Sequence, residues 1–267
     1  SQSVSIFGAY GLGLLTVFCS ACAFNYFNKK NKFYLLFALA ILISLYIYGL
    51  QRINNNQIIY SENELRIVHT YFDQKNKWNK ESIDKTAEMG SLELITIFPE
   101  TSLGFETDRP KNWLYGFIRK EKNNFFNSIG YKGFTYDKKI LVPFGEYFPF
   151  SKIINNLFTQ NIFFKNELTK GDIEQLFPVN ITPLICYEAI FPNFVRGSIT
   201  DKTDLLVNVS NDGWFGNFSG PRQHFVQAQF RSIELGIPMV RSSNKGISGL
   251  IGPIGELINV TNSTEIT

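Results

Sequence analysis

Cysteine is scarce in this sequence, with three residues in 267. Cys19 and Cys22 sit inside an apolar stretch near the start, which leaves Cys186 alone in the polar part of the chain. No disulfide framework can be drawn, and Cys186 is either structural or reactive. Histidine is scarcer still: a Cys–His enzyme would have to use His69 or His224, and neither stands in a context suggesting a base oriented by a third group. An excess of one charge is also lacking. The 26 basic and 23 acidic residues leave a dispersed net +3, which excludes a nucleic-acid-binding surface. There is no internal repeat or low-complexity segment. What is present is 44% hydrophobic residues, enough to bury one large α/β core or two modest ones.

Two long runs carry no charge, 4–24 and 33–50, each about the length that crosses a ~30 Å hydrocarbon layer as a helix. A signal peptide is the alternative for the first run, but it lacks a basic leading region and a second run follows closely. Between them lie Lys29, Lys30 and Lys32, whereas the outer flanks offer only Arg52, so the positive-inside rule puts this loop in the cytoplasm. Everything after residue 50 then lies on the far side, which in a bacterial cell is the periplasm. Cys19 and Cys22, three apart on one helix face, read as packing residues rather than metal ligands. The expected organisation is a helix pair over 1–52, a polar linker over 53–63 and a soluble domain over 64–267.

In that domain, short apolar runs predict strands at 65–68, 92–98, 182–186, 205–209, 238–242 and 247–251, with helices over 78–89 and 222–235 and a hairpin turn at 253–255. Strands alternating with helices argue an α/β fold. Glu100, Lys138 and Cys186 each stand by or just past an apolar, strand-like segment, where α/β sheets usually assemble sites. The set is chemically coherent. A thiol is nucleophilic as thiolate, a carboxylate can accept its proton, and an ammonium can stabilise both thiolate and oxyanion.

The segments FPETS, YDKKILVPFGEY, LICYEAI, SNDGWFG with GPRQHF, and VRSSNKGISGLIGPIGE together resemble the nitrilase superfamily, in its apolipoprotein N-acyltransferase branch, over about residues 65–256. The resemblance implies a four-layer α-β-β-α sandwich preceded by two transmembrane helices. It also implies a triad in which Glu100 is general base and acid, Lys138 stabilises the tetrahedral intermediate and Cys186 is the acyl-accepting nucleophile. Spacing to Pro143 selects Lys138 over Lys139. Glu146 matches a further essential glutamate of the family, Glu188 supports the nucleophile loop, and the Tyr187 backbone N–H is an oxyanion donor. Asn211 and Trp214 are expected at the substrate, although a core tryptophan is the alternative for Trp214. Arg241 and Asn244 are expected to hold the site loops, His224 to be a packing residue, and Arg231 with Glu234 to form a surface or inter-element ion pair worth little by itself.

The implied reaction moves a fatty acyl chain from a phospholipid, through a Cys186 thioester, to the N-terminal amine of a diacylglyceryl-cysteine apolipoprotein. It needs no metal or diffusible cofactor and no nucleic-acid partner. The implied location is the bacterial inner membrane, with the catalytic domain on the periplasmic side. The alternatives are a membrane-tethered amidase or nitrilase-type carbon-nitrogen hydrolase, and an inactive lipoprotein-binding fragment. Members of the branch carry further helices on both sides, so the sequence is expected to be a fragment or a reduced member. The phenylalanine-rich stretch 148–166 reads either as an arm lying on the bilayer or as an ordinary buried helix.

Overall fold

The computed structural model describes residues 1–56, 64–149, 167–172, 177–178, 180–216 and 219–261. Most of the phenylalanine-rich 148–166 stretch lies outside these residues.

The two apolar runs form helices α1 (Val4–Lys29) and α2 (Lys32–Asn55), each running about five residues past the C-terminal end of its uncharged run. Only Lys30 and Asn31 separate them. Lys30 closes α1 in the left-handed region (φ 53°), and the Asn31 side chain accepts a hydrogen bond from the Phe33 N–H to open α2. Both helices are long and apolar enough to cross a membrane, with mean hydropathies of 1.8 and 2.2, and most of their large apolar side chains are exposed.

The remaining elements build two five-stranded sheets. The first has the order β1 (Leu65–Ile67), β2 (Ile95–Ile97), β3 (Trp113–Glu121), β4 (Asn124–Tyr131), β5 (Phe134–Asp137), with α3 (Lys80–Glu88) crossing over between β1 and β2. β1, β2 and β3 run parallel, whereas β3, β4 and β5 form an antiparallel meander. The second sheet contains β6 (Ile181–Ile185), β7 (Leu205–Asn211), β8 (Met239–Asn244), β9 (Gly249–Ile251) and β10 (Leu257–Ile258), with β10 and β6 at its edges. Here β6, β7 and β8 are parallel and β9 and β10 antiparallel. Helices α4 (Pro192–Ser198) and α5 (Gly220–Leu235) connect the parallel strands.

The strand period of two sorts neighbouring residues onto opposite faces. Ile185, Val207 and Val240 meet Ile97, Leu114, Ile129 and Tyr136 in a core between the sheets. Their sequence neighbours Leu184, Leu206 and Met239 instead pack against Val195, Phe225 and Ala228 of α4 and α5. On the outer face of the first sheet, Val68, Phe98 and Trp113 pack with Ala87 and Met89 at the end of α3. The order is therefore helix, sheet, sheet, helix. The meander β3–β5 is the main addition to the expected elements. Its turns, Lys122–Asn123 and Lys132–Gly133, hold only two residues each, and both Lys132 and Gly133 are left-handed (φ 52° and 83°).

Candidate active site

Three chain segments ending at strand termini meet at the seam between the sheets. β2 runs into Pro99 and then Glu100, β5 ends one residue before Lys138, and β6 ends one residue before Cys186. All three side chains are buried. Lys138 Nζ donates to Glu100 Oε1 at 3.3 Å and to Glu146 Oε1 at 2.8 Å. The Glu100 carboxylate and the Ser210 hydroxyl are near enough to the Cys186 thiol to act on its ionisation.

Cys186 takes a left-handed conformation (φ 49°), uncommon for a residue with a Cβ, at the bend from β6 into the short 3₁₀ turn Cys186–Ile190. Two anchors hold that bend. The Glu188 carboxylate accepts from the backbone N–H groups of Ile185 (2.7 Å), Lys139 (2.6 Å) and Ile140 (3.2 Å), and from Tyr136 Oη (3.0 Å). It thus ties the Cys186 turn to the lysine segment. Behind the turn, His224 Nε2 lies 3.1 Å from the Cys186 carbonyl oxygen and its Nδ1 lies 2.8 Å from Asp212 Oδ1.

Cys186, Asp212 and His224 bring one potential ligand atom each within 4.8 Å of one another, a grouping that could suit a metal ion. The buried Arg241 guanidinium already occupies that role, donating to both Asp212 oxygens at 3.2 and 2.8 Å and lying 3.2 Å from His224 Nδ1. The trio is therefore a brace for the turn.

The protonation pattern follows from burial and charge. Burial works to raise the Glu100 carboxyl, but Lys138, Lys77 and the Asn127 amide outweigh it and hold the group below its ordinary value. Burial, reinforced by the nearby Glu100 charge, pushes the Cys186 thiol up to about 12. Burial opposes the charge on Lys138, yet Glu100, Cys186 and Glu146 keep it firmly protonated. The resting site therefore holds a carboxylate against a neutral thiol, with a fixed ammonium beside both.

The remaining expected residues fall in varied places. Glu146 lies beside Lys138, and its Oε2 accepts from the Val142 N–H at 2.8 Å. Tyr187 follows the thiol within the 3₁₀ turn. Trp214 is 67% exposed, which removes the core reading and leaves it free to line a mouth. Asn211, expected at substrate, is buried and committed at both ends of its amide: it donates to Gln74 Oε1 at 2.7 Å and accepts from Asn244 Nδ2 at 2.8 Å. It shares the task of holding loops with Asn244, which also binds the Phe72 backbone, and with Arg241.

Two site neighbours on the strands of the first sheet escape sequence reasoning. Asn127 on β4 donates to Glu100 Oε1 (2.7 Å) and Glu146 Oε1 (3.1 Å), bridging the two carboxylates. Its only signal is a polar residue within the apolar strand FFNSIGY. Gly116 on β3 faces the Glu100 segment so closely that a Cβ there would lie 2.5 Å from Thr101 N and 2.8 Å from Glu100 Cα.

Four layers with a buried thiol, carboxylate and ammonium at the seam of two sheets define a nitrilase-like α/β protein. The chain belongs to the carbon-nitrogen hydrolase family, whose profile matches residues 77–267. It is similar to proteins named apolipoprotein N-acyltransferase from Rickettsia typhi and Rickettsia prowazekii, at 31% and 32% identity over 99% of this chain. The chain spans 61% of the length of each of these relatives. Among solved structures, a carbon-nitrogen hydrolase from Helicobacter pylori G27 aligns at 14% identity with a TM-score of 0.49, over 74% of this chain and 84% of that one.

Proposed function

We propose that this chain carries the catalytic part of a membrane-anchored N-acyltransferase that moves a fatty acyl chain from a phospholipid to the N-terminal amine of a diacylated apolipoprotein. The observation that carries the reading is the Cys186 thiol buried together with a Glu100 carboxylate that is itself bonded to Lys138, in a domain attached to two apolar helices. The names of the relatives above supply the substrate class.

In the first step Glu100 takes the Sγ proton as sulfur attacks the ester carbonyl carbon. The Lys138 ammonium and the Tyr187 backbone N–H face the developing oxyanion. The ester C–O bond breaks, Glu100 returns the proton to the departing alkoxide, and a lysophospholipid leaves behind a thioester. In the second step the apolipoprotein amine attacks the thioester and gives its proton to Glu100. The C–S bond breaks, and the proton passes back to sulfur. The order of resting pKa values suits this cycle, because a carboxylate facing a neutral thiol is a general base awaiting an electrophile.

The residues leading into α1 and the last turn of α2 both touch the soluble domain, through Gln2 to the Ile254 carbonyl (2.7 Å) and Arg52 to the Ile233 carbonyl (2.8 Å). The lysine-bearing tip lies at the other end of the hairpin, about 39 Å away along α1. With the lysines on the cytoplasmic side, the domain faces the periplasm. Trp78, Phe144, Trp214 and Phe215, all exposed and close in sequence to site residues, offer an apolar margin suited to acyl chains.

The family match also supports a second reading, hydrolysis of a carbon–nitrogen bond with water resolving the acyl-enzyme. Intact-protein mass spectrometry after incubation with phosphatidylethanolamine in detergent separates the two. A hydroxylamine-sensitive fatty-acyl adduct, absent from Cys186→Ala and Glu100→Gln, is expected. No adduct on folded protein, with ammonia released from small amides, would establish the hydrolase instead.

A further inference from the structure

Lys77 belongs to none of the motifs that mark the site, and in the run DQKNKWNK it reads as one of several solvated lysines. The fold buries it to 4% exposure. Its Nζ donates to the Glu100 carbonyl oxygen at 3.1 Å and to Thr101 Oγ1 at 2.6 Å. Both acceptors belong to the turn that presents Glu100. Thr101 is left-handed (φ 48°), which disfavours a β-branched residue, so the turn needs an outside hold. Gly116 clears the space on one side of the turn, and Lys77 supplies hydrogen bonds to it.

We propose that Lys77 is a positioning residue that anchors the Glu100–Thr101 turn and, through its charge, keeps the Glu100 carboxylate ionised toward the Cys186 thiol. This inference rests on the reading of Glu100 as the base. The ionisable groups facing Lys77 are Glu100, Cys186 and Lys138. Burial pulls the ammonium down to about 8, against the attraction of Glu100 and Cys186 and with the repulsion of Lys138. The site thus holds two lysines with different duties. Lys138 bonds the carboxylates themselves, whereas Lys77 bonds the backbone and hydroxyl of the turn.

The test reads the base directly, without lipid substrate. The rate of iodoacetamide addition to Cys186, followed by peptide mass spectrometry on the full chain in detergent, is measured from pH 5 to 9. Wild type, Glu100→Gln, Lys77→Met, Lys77→Arg and Thr101→Val are compared, with the melting midpoint of each. Removing the Lys77 charge raises the Glu100 pKa, so Lys77→Met is expected to slow addition at least tenfold at pH 7 and to move the acidic limb upward by half a unit or more. Lys77→Arg, which keeps the charge, is expected to restore the limb. Thr101→Val, which keeps Lys77 but removes one acceptor, is expected to slow addition at least threefold with the limb unmoved.

A folded Lys77→Met with the wild-type rate and profile, beside a slow Glu100→Gln, would overturn the role of Lys77 and leave the base intact. Glu100→Gln reacting like wild type would overturn both. Should Lys77→Met fail to fold, Thr101→Val decides, and a wild-type rate there refutes the anchor.

Discussion

At the scale of single residues, the site depends on how closely the Glu100 turn can approach its neighbours. Gly116 is needed for the absence of a side chain: a Cβ would meet Pro99 O at 2.6 Å and Thr101 N at 2.5 Å, and backbone atoms cannot swing aside. Gly116→Ala is expected to displace Glu100 and, since a shift of about 1 Å can cost on the order of 100-fold in rate, to lower Cys186 acylation at least tenfold. Single-turnover mass spectrometry checks this, and an alanine variant acylating at the wild-type rate would refute the packing argument. Glu100, Lys138 and Cys186 could be picked from the sequence because each follows or flanks an apolar run and because their chemistry is complementary. Lys77 and Asn127 could not. A lysine among polar residues looks solvated, and an asparagine in a strand shows nothing of what lies opposite until the strand is paired.

At the scale of elements, the first helix is joined to the soluble domain by polar bonds as well as apolar contact. At Gly8 the α1 backbone leaves helical geometry (φ 69°, ψ 174°), and the Ala9 N–H just beyond donates to Glu234 Oε1 at 2.7 Å. The same oxygen accepts from Arg231 Nη2 at 3.0 Å. The sequence reading of this pair as a weak ion pair is corrected by its burial, since the two side chains are 0% and 2% exposed. Among the described residues Arg231 Nε and Nη1 have no partner, so Glu234 carries most of the compensation for the buried charge. Glu234→Ala is expected to destabilise the protein by about 3–5 kcal/mol, as loss of one partner of a buried ion pair does. Thermal unfolding in detergent measures the loss, and protease cleavage near residues 2–9 should accelerate with it. A change under about 1 kcal/mol would mean that the pair does not hold the helix. Strands β6, β7 and β8 of the second sheet were legible because parallel, twice-covered strands read as continuous apolar runs, whereas the two-residue β10 was not expected. The meander β3–β5 was not, because WLYGFIRKE and NFFNSIGY mix charged, polar and apolar residues without clean alternation.

For the whole molecule, stability depends on pH through buried carboxyls of opposite sign, and Glu188 favours mildly acidic solution. Burial pushes Glu188 up to about 7 despite three backbone N–H donors, from an unfolded value near 4.5. Between these values the folded state holds more protons than the unfolded one, so this contribution is full below the unfolded value and is lost as pH rises through 7. Its size is roughly 3 kcal/mol. Asp212 behaves oppositely. Burial would raise it, but Arg241 and His224 hold it well below its unfolded 3.8, so its contribution is present above that value and fades as pH falls. From pH 5 to 7.5 the denaturant midpoint of wild type is expected to fall relative to that of Glu188→Gln, which lacks this titration. Parallel curves for the two proteins would remove Glu188 from the account.

The sequence by itself determined the two apolar helices, the α/β class and the place of the thiol at a strand end. Each is a local property: an uncharged run long enough to span hydrocarbon, a strand period, a thiol at the end of an apolar strand. Only the tertiary structure decided which polar groups surround that thiol. Lys77, Asn127 and Gly116 reach the Glu100 segment from a loop and two strands, at 16 to 27 residues from Glu100, through approaches that no linear spacing encodes. Burial, set by the packing of two sheets against each other, then decided their charges and so the chemistry the site can perform.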